Sequence, residues 1–250
     1  MKKTETTMKK TIDLISNSIN VLKLDYTTVV NQDIEKGTFA VNEKHVSTAQ
    51  SYFSNLGIKF SLLKNPRRED DAIIFLLETP KDKFCLKMLP DVWIATAEHL
   101  RRQGYISKMS KSKYLPKIRF FKLDTSNKSI LYLYDYMEGL TLSEMVSKAT
   151  VKQKTEILKT LKKCINDWVL NYNMDINFDD GLDNFIINPS DLSDIRITDI
   201  NTAFQALNVV SKEDLLRMVK KRALRFFSGK GFGRMEVYNI VYKMEKSRSN

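Results

Sequence analysis

Apolar positions recur at helical spacing near the N-terminus and then give way to short, strand-like runs. Ile12, Leu14, Ile15, Ile19 and Leu22 outline one helix face. A second helix is predicted from about Glu43 to Leu56, with Asn42 as its N-cap and Gly57 as its stop. From Ile58 the period changes. Ile58–Leu63, Ala72–Glu78 and Lys83–Leu89 are apolar runs separated by turn-forming stretches, Lys64–Asp71 and Thr79–Asp82. That spacing predicts an antiparallel meander. Pro90 and Asp91 then open a helix, with Asp91 as N-cap, Val92, Ala95, His99 and Leu100 on one face, and Gly104 at its end.

The second half keeps both signals. Ile118–Leu123 and Ser129–Tyr136 read as two further strands. Thr141 and Glu144 form a Thr-x-x-Glu capping box, so a helix starts there. The longest helical pattern runs from Val151 to Tyr172, where Ile157, Leu161, Cys164, Ile165, Trp168 and Tyr172 make a core stripe opposite lysines and acids. Phe185–Ile187 and Ile195–Ile197 flank the turn Asn188-Pro-Ser-Asp, a hairpin signature. Ser211 opens a basic helix to about Phe227, Ser228–Gly233 reads as a flexible linker, and a last helix is predicted from about Arg234 to Glu245.

Composition narrows the classes. A hydrophobic fraction of 42% over 250 residues is enough for a real core. Cys85 and Cys164 lie in apolar patterns without CxxC spacing, which points away from zinc and toward a reducing compartment. No apolar run approaches the ~20 residues of a membrane span, and the charged N-terminus lacks the apolar region of a secretory signal. The net charge of +11 favours a polyanionic partner: nucleic acid, anionic lipid, phosphorylated glycan or an acidic protein face. The lysines are spread along the chain, and no nucleic-acid recognition motif accompanies them.

The residues with the most chemistry lie around the predicted hairpin. Asp179 and Asn184 are five apart just before its first strand, and Asp199 follows its second. Carboxylate and amide oxygens gathered at one hairpin end suit a hard cation such as Mg²⁺. This order resembles the protein-kinase-like superfamily, with its Asp-x-x-x-x-Asn loop and strand-ending metal Asp. Phe84-Cys-Leu-Lys87-Met resembles the strand that carries that family's phosphate-binding lysine. Tyr134-Asp-Tyr-Met-Glu-Gly-Leu-Thr resembles its hinge, with Tyr134 at the gatekeeper position.

The resemblance implies an α+β, bilobal protein-kinase-like fold. Residues 1–56 would be a helical extension, 57–138 an N-lobe built on a small antiparallel sheet, and 139–250 a reduced, mainly helical C-lobe. It implies ATP and Mg²⁺ as cofactors. Asp179 would be the catalytic base, with Asp180 as its backup, and Asn184 and Asp199 the metal ligands. Lys87 would hold the α/β-phosphates and Glu98 would pair with it, while backbone groups of Asp135 and Met137 would bond adenine. Where the family has a glycine-rich loop, this chain has Asn65-Pro-Arg-Arg-Glu, so Arg67 and Arg68 would hold phosphate by charge.

Departures set the alternatives. The family's His-Arg is Asn177 and Phe178 here, its Phe-Gly is Ile200 and Asn201, and no Ala-Pro-Glu occurs. A compact C-lobe of this kind is similar to lipopolysaccharide-core heptose kinases, which favours a glycan or small-molecule acceptor. It is also similar to minimal bacterial effector kinases, which favours Ser/Thr on an acidic protein. An inactive pseudokinase that only binds a partner is the third expectation. These readings place the chain in the cytoplasm, at the periphery of an anionic membrane, or delivered into a host cell.

Overall fold

The computed structural model describes residues 2–33, 38–66, 71–95, 97–98, 111–125, 129–172, 174–176, 181–198, 203–205 and 211–243. The chain divides into two compact units. One comprises residues 1–106 with 117–136, the other 107–116 with 137–250. The architecture is α+β: an antiparallel sheet dominates the first unit and helices the second.

The first unit opens with α1 (Lys2–Val21), α2 (Tyr26–Val29), a hairpin of β1 (Val30–Asp33) and β2 (Thr38–Val41), and α3 (Glu43–Asn55). Five strands then form one sheet among the described residues: β3 (Lys59–Lys64), β4 (Ile73–Glu78), β5 (Lys83–Leu89), β6 (Ile118–Asp124) and β7 (Ser129–Asp135). Their spatial order is β3-β4-β5-β7-β6, every neighbour antiparallel. Successive side chains in a strand point to opposite faces, and the register sorts them cleanly. Ile73, Phe75 and Leu77 of β4, Phe84, Leu86 and Met88 of β5, and Leu131 and Leu133 of β7 share one face. That face forms a single cluster with Ile15 and Ile19 of α1, Tyr26 and Val29 of α2, and Val46, Ala49 and Phe53 of α3. Phe53, Phe60 and Phe75 stack in a row, with centroids 5.1 and 4.6 Å apart. Helices α1–α3 are thus one side of a shared core, held there by the burial of large apolar side chains.

Local chemistry explains the element ends. The Asn42 side chain accepts from the His45 N–H at 3.2 Å, capping α3. Gly57, at φ 72°, supplies the left-handed residue that ends it. The β1–β2 hairpin was not expected, because its strands are four residues each, Val-Asn-Gln-Asp and Thr-Phe-Ala-Val, too short to show an alternating pattern. The segment after β5 also differs from expectation. Pro90, not Asp91, occupies the cap position and makes no side-chain cap bond, and Asp91–Trp93 is a 3-10 turn. Its tighter winding shifts the phase of the pattern that follows. Val92 and Ala95, expected on the inner face, are exposed, while Ala97 is buried. His99, Leu100 and Gly104 lie outside the described residues.

The second unit contains β8 (Leu140–Thr141), α4 (Leu142–Lys148), α5 (Val151–Tyr172), β9 (Met174–Ile176), β10 (Phe185–Asn188), β11 (Asp191–Ile197), β12 (Ala203–Gln205), α6 (Lys212–Phe227) and α7 (Arg234–Val237). The capping box forms as its sequence requires: Thr141 Oγ1 accepts from Glu144 N–H, and Glu144 accepts from Thr141 N–H at 2.8 Å. That pairing and the neighbouring hydroxyl hold the Glu144 carboxyl below the usual carboxylate range. The α5 stripe is core: Ile157, Leu161, Cys164, Ile165 and Trp168 are all buried. Gly139 is needed where β8 meets β10, because a Cβ there would collide with the Ile187 carbonyl.

Two expectations for the C-terminal part are corrected. Ser228–Gly233 is a closed turn, not a loose linker. Ser228 bridges to Phe232, Phe232 is buried against Phe227, and Lys154 Nζ donates to the Gly231 carbonyl at 2.9 Å. Gly231, at φ 86°, also lies where any Cβ would strike Val146. The last helix does not run on to Glu245 as regular α-helix. After α7 it widens into a π-type turn, Tyr238–Tyr242, and Lys243 leaves helical geometry.

Candidate functional site

In the second unit, two antiparallel pairings flank the acidic segment. In one, β9 pairs with β12, Ile176 opposite Ala203. In the other, β10 pairs with β11, Phe185 opposite Ile197. Gly181, at φ 98°, starts a 3-10 turn, Leu182–Asn184, that delivers the chain into β10. At the open end of this hairpin the Asn184 carbonyl accepts twice from Thr198, from its N–H at 2.8 Å and its Oγ1 at 3.2 Å. Asn184 is thereby fixed against the residue that precedes Asp199 in the chain.

Asp179, Asp180 and Asp199 lie outside the described residues, as do Arg67 and Arg68. Among the described residues no three His, Cys, Asp or Glu side chains gather into a metal-ready cluster. The β9–β12 pairing was missed from sequence. Its only signal is two apolar-polar triplets, Met174-Asp-Ile and Ala203-Phe-Gln, too short to count as strands alone. The basic stretch before β6 proves structural in part. The Tyr114 carbonyl accepts from Ile197 N–H at 3.0 Å, and Ser112 Oγ donates to Asp167 at 2.8 Å. Burial pushes the Tyr114 phenol up.

In the first unit Lys87 sits on β5, the middle strand of the sheet, opposite Ile74 and Tyr132. It is 4% exposed, so it is not a solvent-facing lysine. A charge this buried costs free energy unless something compensates it. Lys87 shares its sheet face with Cys85, Leu89, Tyr132 and Tyr134. Desolvation pushes the Cys85 thiol up to about 12, against a smaller opposing effect from a hydrogen bond with Tyr134. A neutral buried thiol is a packing group, not a nucleophile. Glu98 is a half-buried helical residue beyond the 3-10 turn.

The strand end at Asp135 is fixed from both sides. Its carboxylate takes a bidentate pair from Arg119, Nε at 2.6 Å and Nη2 at 2.7 Å. Its N–H donates to the Lys117 carbonyl at 3.1 Å, and the next N–H, of Tyr136, donates to Lys83 at 3.0 Å. Paired guanidinium–carboxylate bonds of this length are strong and directional. Nothing in the sequence singled out Arg119, which reads as one polar residue in a strand. Met137 follows, half-buried, two residues before Gly139.

No known family profile matches the chain, and no curated protein matches it. Solved structures do. The kinase domain of PknI from Mycobacterium tuberculosis is similar over 69% of this chain and 74% of its own, at 14% identity and a TM-score of 0.49. The autoinhibited serine kinase domain of the giant muscle protein titin is similar over 73% of this chain and 65% of its own, at 12% identity and a TM-score of 0.47. No helix among the described residues is long and apolar enough to cross a membrane.

Proposed function

We propose that this chain is an ATP- and Mg²⁺-dependent phosphotransferase that moves the γ-phosphate of ATP to an acceptor hydroxyl on a glycan or small molecule. The observation that carries this reading is the double hydrogen bond from Thr198 to Asn184. It fixes the backbone of Asn184, whose side chain carries the amide oxygen, against the strand end that continues into Asp199. An Asn with two Asp residues, Asp179 and Asp199, is a hard oxygen donor set that fits Mg²⁺. The burial of Lys87 supports the same reading.

Bound Mg-ATP supplies a phosphoryl group whose transfer depends on positioning and charge neutralisation. The residues of this chain would do that work. Asn184 and Asp199 present oxygens to the metal. Lys87 orients the α/β-phosphates, with Glu98 holding its ammonium. Asp179 aligns the acceptor hydroxyl and takes its proton. Met137 and Asp135 offer backbone groups to adenine; the Asp135 N–H is already given to Lys117, which leaves its carbonyl for this role. Arg67 and Arg68 offset phosphate charge where the glycine loop is absent.

The lean to a non-protein acceptor rests on the lack of an Ala-Pro-Glu run after Asp199; the charge of +11 suits an anionic glycan and an acidic protein alike. One feature favours a second reading, an inactive binding module. The turn between β3 and β4 has no glycine to let backbone approach phosphate.

Thermal shift and labelled-ATP turnover separate the two. Mg-ATP at 100 times its Kd should add about 2.7 kcal/mol of stability. Phosphate should also pass from γ-labelled ATP to a glycan or metabolite fraction, and Asp199→Ala should abolish that turnover. A shift without transfer would leave the binding module. Transfer to protein fractions alone would move the acceptor to Ser/Thr. Full activity in Asp199→Ala would remove the metal assignment.

A further inference from the structure

A second candidate site lies within the helical unit, on residues to which the phosphotransferase reading gives no role. A cavity of about 740 Å³ opens between α5, the start of β11 and the π-type turn after α7. Its size falls in the ~300–1,000 Å³ range of small-molecule sites. One wall is a single face of α5: Glu156, Lys159, Lys163 and Asn166 follow at spacings of three and four, and Lys162 flanks them. Asp191, Leu192, Ser193, Asn239 and Ile240 line the rest of the cavity.

Three ammonium groups therefore line a groove that holds two carboxylates, and both carboxylates are engaged by neighbours. Glu156 accepts from Lys159 Nζ at 2.8 Å, and that pairing, with Lys152 and Lys163 nearby, keeps its carboxyl below the usual range. Asp191 accepts from the Ser193 hydroxyl at 2.7 Å and its N–H at 3.0 Å, which lowers it too. One amide atom stands out. The terminal atom assigned as Asn166 Oδ1 is shielded from solvent and has no hydrogen-bond partner. Such an atom costs free energy unless something fills its valence. With its oxygen turned inward, the Asn166 amide offers its NH₂ to an acceptor in the groove it lines.

We infer that this groove binds a compact polyanion bearing at least two phosphates, held by Lys159, Lys162 and Lys163 with the Asn166 amide donating at its base. Ammonium–phosphate pairs with an amide donor are the charge-assisted contacts such a ligand needs. The inference does not depend on the phosphotransferase reading, and the test keeps the two apart.

The full chain is titrated calorimetrically with inorganic tripolyphosphate, in parallel with the variants Lys87→Met, Lys159→Gln/Lys163→Gln, Asn166→Leu and Lys81→Gln. Saturable binding is expected in the parent chain, in Lys87→Met and in Lys81→Gln. It should weaken by about tenfold or more in the double lysine variant and in Asn166→Leu. Thermal melts check that each variant folds, and the exposed lysine pair is the variant least able to unfold the chain. No saturable binding by the parent, or equal affinity in the lysine and Asn166 variants, would overturn the site. So would loss in Lys87→Met alone, which would put the anion in the nucleotide position. Two further arms, free inositol hexakisphosphate and phosphatidylcholine vesicles containing phosphatidylinositol bisphosphate, identify the source of the phosphates. Binding of either through these residues supports the site, and binding of neither by the parent counts against it.

Discussion

The two faces of the five-stranded sheet are built from the same strands and obey opposite rules. One carries Phe75, Leu86, Met88 and Leu133, with no charged side chain in the cluster, and α1–α3 cover it. The other carries Lys87 beside Cys85, Tyr132 and Tyr134, equally buried but studded with polar atoms. Burial alone does not separate structural from chemical surface here; the difference lies in what is buried. A face that only needs to stay dry takes phenylalanine and leucine. A lysine as buried as Lys87 marks its position as a candidate for function.

The contrast can be broken by substitution. Phe75→Ala on the apolar face should cost about 3–5 kcal/mol of unfolding free energy. Urea titration would show this, and the affinity for Mg-ATP of the molecules still folded should not change. Lys87→Met on the other face should do the reverse. Phosphoryl transfer should fall by about 10²–10³, while the melting temperature should move less than in Phe75→Ala. If instead Lys87→Met destabilised the chain as much as Phe75→Ala and left turnover intact, the two faces would be of one kind. Arg119→Ala is a milder probe. It strips the partner from a partly buried Asp135 and should cost about 1–3 kcal/mol. Asp135→Asn in the same background should recover part of that loss.

The smallest effect concerns pH. The Cys85 thiol is raised from an ordinary 9.0 to about 12 by burial. Its contribution to stability is whole below pH 9.0, because the thiol is then protonated in both states. Above that the unfolded thiol ionises first, so the contribution declines with rising pH until the folded thiol ionises near 12. Parent chain and Cys85→Ala, compared at pH 8 and pH 10, should show the parent losing more. Parallel pH profiles would argue that the thiol is not so buried.

Where periodicity was long, sequence and structure agree. The α5 stripe and the strand boundaries of β5 and β7 follow from runs of seven residues or more, each with its apolar phase intact. The caps at Asn42, Thr141 and Ser211 were legible because a side chain must satisfy specific backbone donors. What escaped was set by tertiary contact. Three-residue β9 and β12 are strands only because each has the other. The turn at Ser228–Gly233 has a linker's composition but closes over Phe232 and Val146, a fact no local pattern encodes. At the candidate site, the chain order of Asn184 and Asp199 could be read directly. The Thr198 hydrogen bonds and the Arg119 clamp could not, since both depend on which strand ends meet.

The cover on the apolar face has a consequence for biogenesis. Helices α1–α3 leave the ribosome before any of the sheet they shield. Between the emergence of residue 56 and that of Leu133, translation at ~5–20 residues per second leaves their inner faces only partly covered for roughly 4–15 s. A nascent chain in that interval gains Phe60 and Phe75 early but still lacks Leu131 and Leu133, which complete the cluster around Ile15, Ile19 and Phe53. Chaperone demand should therefore peak early in synthesis, and shortening the spacing between α3 and β7 should relieve it.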